Sequence, residues 1–376
     1  MKLREIHHTA AKSLQKSAIV AAGIFAATAA AHAQTPCYPG TADAPLEKEL
    51  TFETSGGSYW DIFKKTIVEP FEAACGVKVT MTLSPARNLG QLQSFIRQGG
   101  APWDLATLNT PWDFETGINM GLFEPLPKTF WEPIKKDLID GSYNPYAVWL
   151  NPYSSVLIYN TKALTAKPDG WKDFWDTTKF PGSRSLQDSP LNVVIALMAD
   201  GLAPTDIYPI TDEKLKRAFT KLNELRPHIR SFWTAGDQPV QGVNRGDFVM
   251  ATAFNGRAFS GLQNGYTIDI SWKQNILTQV WLYRPKGVKN PRAAAALMYY
   301  FTNKDRQAPL ARQTGYTGAL KDPASFLEPV VVASLPTSSE HLASASPVDA
   351  EWWSANAARV QAFWKEWMTT GQVNIK

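Results

Sequence analysis

The chain has 376 residues, of which 38 are basic and 34 acidic, for a formal net charge of +4. Residues 1–33 hold four of the basic residues and one of the acidic ones, which leaves 38 − 4 = 34 basic and 34 − 1 = 33 acidic residues beyond them. This near balance excludes a general electrostatic case for binding nucleic acid or a membrane surface. The length exceeds what one hydrophobic core usually supports, so two domains are expected.

The first 33 residues have the pattern of a secretory signal peptide. A basic start precedes an apolar, alanine-rich run over residues 18–31, which is too short to span a membrane. Ala31-His32-Ala33 is an A-x-A site, and cleavage is predicted after Ala33. Cys37 is not preceded by the small apolar residues of a lipoprotein box. The mature chain is therefore expected to be soluble and exported to the periplasm.

Cys37 and Cys75 are the two cysteines of the chain. In an oxidising compartment an even pair predicts a disulfide, which would tie the N-terminal tail to the end of the first helix. The alternative is two independent small buried residues. Their spacing fits neither a redox motif nor a zinc motif.

The unit that opens the mature fold reads strand, glycine turn, helix. A strand over residues 50–54 is followed by Gly56 and Gly57, and a helix starts near Tyr59. The turn lies at the carboxyl end of the strand, where open α/β sheets bind ligands. Ser58 and Tyr59 are therefore candidate ligand contacts. The alternative is an ordinary strand-to-helix turn, because two glycines without a full G-x-G-x-x-G are weak evidence.

Strands and helices then alternate along the chain. Strands are predicted over residues 77–83 and 104–108, with a helix over residues 87–97 between them. Thr110 and Trp112 follow the later strand at its carboxyl end and are also candidate ligand contacts. The order β-α-β-α-β predicts a parallel sheet with helices on its faces.

A second α/β domain is predicted between two crossings, near residues 145–158 and 278–286. The later strands are predicted over residues 153–159, 184–186, 248–254 and 268–272. The later helices are predicted over residues 188–201, 211–225, 291–302, 305–314 and 349–368. The predicted domains comprise residues 34–147 with 285–335, and 148–284 with 336–376. Two domains joined by two crossings predict a hinged cleft that closes on a ligand.

Several stretches, in consistent order over nearly all of the mature chain, carry a resemblance to a known family. They are Ser55-Gly56-Gly57-Ser58-Tyr59, Pro70-Phe71-Glu72, Ile195-Ala196-Leu197-Met198-Ala199-Asp200-Gly201, Tyr208-Pro209-Ile210, Arg217-Ala218-Phe219, Phe232-Trp233, Phe254-Asn255-Gly256-Arg257, Pro285-Lys286-Gly287 and Gln313-Thr314-Gly315-Tyr316. The chain resembles bacterial extracellular solute-binding proteins of the spermidine/putrescine type. The resemblance implies a type II periplasmic-binding fold, no catalysis, and an ABC transporter permease in the inner membrane as partner.

The resemblance also implies an aromatic box with acidic residues that neutralise ammonium groups through cation–π contacts and charged hydrogen bonds. The aromatic residues at the matching places are Tyr59, Trp112, Trp233 and Phe254, with Trp272 or Trp281 as a further member, and the one carboxylate is Asp188. A further acid of the family is replaced by Leu191 or Asn192, and Gln279 stands where an aromatic-x-Asp pattern is expected. Asp188, Asn255 and Gln279 are expected to orient the ligand. A polyamine-like solute is the first expectation.

Arg87 and Arg257 favour a different ligand. Both lie at the edge of the predicted cleft, and arginine is the usual partner of a carboxylate or phosphate. If both face the cleft, the solute carries an anionic group. The alternative is that Arg87 lies on the surface and Arg257 forms an interdomain salt bridge.

The sequence also bears on two other classes, an enzyme and an iron-binding protein. Beyond the signal peptide only His228 and His341 remain, without motif context, and no G-x-S-x-G elbow or local acid pair supports a hydrolase. Tyr299 and Tyr300 are adjacent, as in ferric sites of this fold, but they lie inside a predicted helix. The sequence therefore predicts a monomeric, cofactor-free and metal-free solute-binding protein that is not an enzyme.

Overall fold

A computed structural model describes residue 37 and residues 45–83 and 89–375. The predicted signal peptide and Arg87 lie outside the described residues. None of the helices in the described part of the chain is long and apolar enough to cross a membrane.

Twelve strands form the two sheets of the described chain. They are β1 (Glu49–Thr54), β2 (Lys78–Leu83), β3 (Leu105–Leu108), β4 (Tyr143–Asn144), β5 (Ala147–Trp149), β6 (Tyr153–Asn160), β7 (Arg184–Gln187), β8 (Ile229–Trp233), β9 (Met250–Phe254), β10 (Ile268–Thr278), β11 (Trp281–Tyr283) and β12 (Ser346–Pro347).

The helices cover the faces of these sheets. They are α1 (Ser58–Phe63), α2 (Glu69–Cys75), α3 (Leu89–Arg97), α4 (Pro111–Asn119), α5 (Lys128–Trp131), α6 (Trp171–Trp175), α7 (Asn192–Ala199), α8 (Asp212–Leu225), α9 (Asp237–Arg245), α10 (Asn255–Gln263), α11 (Pro291–Phe301), α12 (Lys304–Thr314), α13 (Pro329–Val332), α14 (Ser339–Ser344) and α15 (Ala350–Thr370). A π-helical turn, Lys64–Val68, joins α1 to α2 without a break.

Each sheet has six strands and mixed direction. The first has the order β2-β1-β3-β11-β5-β4, in which β1 pairs in parallel with β2 and β3, and the other pairs are antiparallel. The second has the order β12-β10-β6-β9-β7-β8, in which β6 is antiparallel to both β9 and β10. We call each sheet with its helices a lobe. The predicted parallel α/β units are present in both lobes, with antiparallel strands added at the crossings.

The chain passes between the lobes at two short segments. Residues 150–152 lead from β5 to β6, and residues 279–280 lead from β10 back to β11. Strand pairing therefore assigns β11 and all of β5 to the first sheet, whereas the sequence-based boundaries fell after residues 147 and 284. The difference arises because an apolar strand has the same composition whichever sheet it joins.

Apolar periodicity accounts for the main elements. The continuous helix from α1 to α2 buries Phe63, Ile67 and Phe71 in the first core, and Gly76 ends it in a left-handed conformation. The long C-terminal helix α15 buries a tryptophan stripe in the second core, as predicted. The side chain of Asp349 accepts from the backbone N–H of Trp352 and caps this helix.

The predicted disulfide is confirmed. Cys37 and Cys75 are bonded, with their Cα atoms 5.8 Å apart. The bond attaches Cys37 to the C-terminal end of α2. Gly57 lies at the opposite end of this continuous helix, where α1 begins.

Candidate functional site

A cavity of about 190 Å³ lies where the two lobes meet. Its lining residues come from the carboxyl ends of β1 and β3, from α1 and the residue after the C-cap of α12, from both crossings, and from the second lobe. They are Thr54, Ser55, Gly56, Tyr59, Asn109, Leu150, Asn151, Tyr153, Phe254, Arg257, Val280 and Tyr316. Carboxyl ends of parallel strands are where α/β sheets bind ligands, and the residues of both crossings form the floor of the cavity.

Arg257 supplies the only charged side chain among the described lining residues. It lies in the first turn of α10, and its side chain is 23% exposed. Its Nη1 is 3.7 Å from Oδ1 of Asp237 in the same lobe. Its Nη2 lies 3.5 Å from the position that a Cβ on Gly57 of the first lobe would take. The guanidinium therefore spans the cleft from the second lobe to the turn before α1.

Aromatic rings form the second-lobe wall of the cavity. Tyr153 and Phe254 pack edge to face with ring centroids 5.1 Å apart, and Phe254 packs in the same way on Trp233 at 5.0 Å. Trp233 is buried, donates from Nε1 to Oγ1 of Thr252, and does not line the cavity. Trp233 thus supports the ring of Phe254 from behind.

Two tyrosines form the first-lobe wall. Tyr59 and Tyr316 pack edge to face with centroids 6.3 Å apart, and both are more than nine-tenths buried. Burial raises the pKa of Tyr59, and it raises the pKa of Tyr316 to about 12, although nearby Arg257 opposes part of that rise. Both phenols are therefore neutral hydrogen-bond donors at physiological pH.

Two hydroxyl groups in this wall have no hydrogen-bond partner within the described chain. They are Oη of Tyr59 and Oγ1 of Thr54, both buried. Buried polar groups are almost always paired in folded proteins, so these two hydroxyls of lining residues keep unused hydrogen-bonding capacity.

Asn255 was predicted to contact the ligand, but it is not among the residues that line the cavity. Its side chain is fully buried and does not reach the cavity. Its Oδ1 accepts from the backbone N–H of Ser154 at 2.9 Å. Its Nδ2 donates to the carbonyl oxygens of Gly315 at 3.2 Å and Ser334 at 3.4 Å.

Asp188 and Trp112 lie away from the cavity. Oδ1 of Asp188 accepts a 2.7 Å hydrogen bond from Nε1 of Trp364 in α15. Trp112 is buried against Trp353 of the same helix, with ring centroids 5.3 Å apart. Both residues therefore contact α15 instead of forming an aromatic and acidic box. An ammonium-neutralising carboxylate has no counterpart among the described lining residues.

The remaining candidate residues flank the site. Thr110 precedes α4, where its hydroxyl contacts Asp113, and Gln279 lies in the return crossing beside the lining residue Val280. Ser58 begins α1, but its side chain, like Arg87, is outside what the structure describes. Of the predicted contacts, the structure thus brings together Tyr59, Phe254 and Arg257.

Sequence reasoning missed several lining residues. They are Thr54, Ser55, Asn109, Asn151, Tyr153 and Tyr316. Ser55 and Asn109 directly follow predicted strands, a signal that the strand-end rule could have used. Tyr316 belongs to a family-like stretch. It lies more than 250 residues from Tyr59 along the chain, so no local sequence pattern could predict that their rings are in contact.

The tyrosine pair Tyr299–Tyr300 does not form an open site. The Tyr300 ring is buried between Phe71 and the guanidinium of Arg306, whereas Tyr299 packs on Phe130. Within residues 45–83 and 89–375 no group of three or more His, Cys, Asp or Glu side chains could hold a metal ion.

A larger depression, about 450 Å³, lies on the first lobe. Lys136, Asp137, Lys304, Lys321 and Asp322 are its charged lining residues. It includes no residue of the second lobe and no strand end, so lobe closure would not change it.

Comparison with known proteins identifies the family. The family model described as bacterial extracellular solute-binding protein matches residues 66–337, which is more than half of the chain. The chain therefore belongs to the bacterial extracellular solute-binding protein family.

Individual relatives agree with this assignment. A gamma-aminobutyric acid-binding protein of Pseudomonas aeruginosa is 29% identical over 324 residues, which is 85% of this chain and 91% of the relative. The spermidine/putrescine-binding periplasmic protein of Escherichia coli is 23% identical over 264 residues, which is 66% of this chain and 72% of the relative. The structure of an ABC transporter substrate-binding protein from Bradyrhizobium japonicum matches with a TM-score of 0.77 at 29% identity, covering 86% of this chain and 100% of that one.

These matches confirm the predicted two-domain α/β fold of periplasmic binding proteins. They also confirm that the chain is a solute-binding protein and not an enzyme. It is the substrate-binding component of an ABC transporter, a class that delivers small solutes to a membrane permease and typically works in the periplasm.

Proposed function

We propose that this substrate-binding protein captures a small zwitterionic amino carboxylate of the γ-aminobutyric acid type in the periplasm and delivers it, as a monomer, to its permease. The observation that carries the proposal is the charge of the cavity. Its one charged side chain among the described residues is a guanidinium, Arg257, and not a carboxylate. A dicationic polyamine would meet a like charge there, whereas a carboxylate would meet its usual partner.

The neutral donors around Arg257 fit the same carboxylate. Tyr59 and Tyr316 are lining residues of the opposite wall with neutral phenols, and the buried Tyr59 hydroxyl has no hydrogen-bond partner within the described residues. Hydrogen bonds from a guanidinium and from phenols are the strong, charge-assisted kind when the acceptor is ionised.

The ammonium group is accommodated by the aromatic wall and by neutral oxygens. The rings of Tyr153 and Phe254 offer faces for cation–π contact, and Asn109 and Asn151 offer side-chain carbonyl oxygens. No lining carboxylate is needed, because the carboxylate of the solute itself balances its ammonium charge.

The size of the cavity favours a short solute. About 190 Å³ is below the roughly 300–1,000 Å³ of pockets for drug-sized ligands. The Pseudomonas aeruginosa relative is named for γ-aminobutyric acid, and a solved GABA receptor structure matches this chain with a TM-score of 0.77 at 29% identity. A solute of that length, bound on the hinge, would be enclosed when the lobes close over it.

The test is isothermal titration calorimetry with five matched compounds: γ-aminobutyrate, butyrate, butylamine, putrescine and succinate. We expect γ-aminobutyrate to bind most tightly, with butyrate and butylamine each at least roughly tenfold weaker, since each lacks one charged hydrogen-bonding group. Putrescine binding more tightly than γ-aminobutyrate would replace the proposal with a polyamine carrier. Succinate or butyrate binding most tightly would replace it with a carrier of organic anions.

A further inference from the structure

We infer that Asn255 is a positioning residue of the cleft, which holds four lining side chains in place without touching the solute. The identity of the solute in this inference rests on the proposed function. The role of Asn255 in holding the lining side chains does not depend on which solute binds. Two of the three hydrogen bonds of Asn255 end on backbone groups that directly adjoin lining residues of other segments, Tyr153 and Tyr316.

The first bond acts within the second lobe. β9 and β6 pair antiparallel with Phe254 opposite Ser155, so the next ladder position would set Asn255 opposite Ser154. The chain turns into α10 at this point, and the Asn255 side chain supplies the acceptor for the Ser154 N–H instead. The lining residue Tyr153 directly precedes Ser154, so this bond fixes its distance from Phe254.

The other two bonds cross to the first lobe. Gly315 and Ser334 accept from Nδ2 of Asn255. Gly315 caps the C-terminal end of α12, and Ser334 directly precedes Leu335, which belongs to the apolar cluster that includes Ala308 and Ala311 of α12. Gly315 directly precedes Tyr316, whose ring faces Tyr59. The bond to Gly315 therefore ties the phenol wall of one lobe to the α10 start of the other.

The backbone of Asn255 completes the arrangement. It lies between Phe254 and Arg257 in the turn that begins α10, so any shift of Asn255 moves the aromatic ring and the guanidinium together. One amide thus fixes the relative positions of Tyr153, Phe254, Arg257 and Tyr316. Its loss would leave a buried N–H and two carbonyl groups with fewer partners, and the four side chains could shift independently.

The chain contains a matched control in Asn160. This residue is also buried, its Nδ2 donates to the carbonyl of Val243, and its Oδ1 accepts from the N–H groups of Lys162 and Ala163. It ends β6, whereas Tyr153 begins it, so about 23 Å of strand separates it from the cavity. Asn160→Ala removes a comparable set of bonds without touching the cleft.

The decisive measurement uses ligand-free protein labelled with 3-fluorotyrosine, in which Tyr153→Phe and Tyr316→Phe assign the two fluorine resonances. We expect Asn255→Ala to move or broaden both resonances and to leave that of Tyr208, which lies against α15, unchanged. Asn160→Ala should lower the melting temperature but leave both resonances in place. If the two variants change these resonances equally, or neither does, the inference is overturned.

Titration with γ-aminobutyrate gives the functional readout. We expect Asn255→Ala to weaken its binding by roughly tenfold or more and Asn160→Ala to change it by less than about twofold. If Asn255→Ala does not fold, Asn255→Ser replaces it under the same criteria. Failure of the wild type to bind γ-aminobutyrate would defeat the proposed function, while the fluorine comparison would still decide the role of Asn255.

Discussion

The ring of Tyr316 lies directly on the backbone of Gly256: a Cβ added to this glycine would stand 2.2 Å from Cζ of the tyrosine. Real Cβ atoms do not approach other atoms so closely, and the contact joins the first turn of α10 to the phenol wall of the opposite lobe. Glycine is therefore required here by a close approach between lobes and not by its backbone angles.

Gly256→Ala should consequently push Tyr316 away from the cleft. We expect a loss of roughly 1–3 kcal/mol in the free energy of unfolding, as for other overpacked sites, and clearly weaker solute binding. Thermal denaturation and calorimetry measure the two effects. Gly90→Ala is the control, because nothing lies within 4 Å of its added Cβ. Equal behaviour of the two variants would contradict the prediction.

Arg257→Met should remove the partner of the solute carboxylate while keeping much of the side-chain length. We expect binding of γ-aminobutyrate to weaken by roughly ten- to a hundredfold, the scale of one charge-assisted interaction. Calorimetry would detect this loss directly. The matched control is Arg217→Met, since Arg217 pairs with Asp200 on the surface of the second lobe. An unchanged affinity in Arg257→Met would remove this residue from the site.

Asp188 separates the polyamine expectation from the present proposal. Because Asp188 accepts from Nε1 of Trp364, Asp188→Asn can keep that hydrogen bond while it removes the negative charge. We expect affinity for γ-aminobutyrate to stay within about twofold and the melting temperature to fall by no more than a few degrees. A large loss of solute binding would return Asp188 to the ligand site.

Reduction of the disulfide between Cys37 and Cys75 should lower stability without changing binding. The bond closes a sequence separation of 38 residues, for which the chain-entropy model gives about 4 kcal/mol. Cys37→Ser/Cys75→Ser should therefore melt at a lower temperature than the oxidised wild type. Its affinity should match that of the wild type, because the bond ends on α2 and does not line the cavity.

Alkaline titration should show that the buried phenols stay protonated well beyond their ordinary range. Burial raises the pKa of Tyr316 to about 12 from 10.0, so between these values the unfolded state binds fewer protons than the folded state. Stability is then fully present below pH 10 and declines as pH rises towards 12. Phenolate absorbance should rise together with unfolding; a Tyr316→Phe variant with an unchanged titration curve would contradict this.

Much of the architecture could be predicted from the sequence. Strand-type composition located β1 and β6, and a helical stripe of apolar residues located α15, to within a few residues; the two extended crossings predicted two lobes. Local periodicity is sufficient for these features, because each element buries one face wherever it is finally placed. Two cysteines in an exported chain were likewise enough to predict their bond.

The composition of the cleft was decided by tertiary structure. Asp188 and Trp112 have the residue types of a ligand site, yet both contact α15 instead. Asp188 accepts a hydrogen bond from Trp364, and Trp112 packs on Trp353. Tyr316 enters the cleft because the segment after α12 folds back against α1, a contact between residues far apart in the chain. Sequence patterns report which residues are buried or which end a strand. Which side chains then share one cavity depends on how separate elements pack, and that relationship has no local signal in the chain.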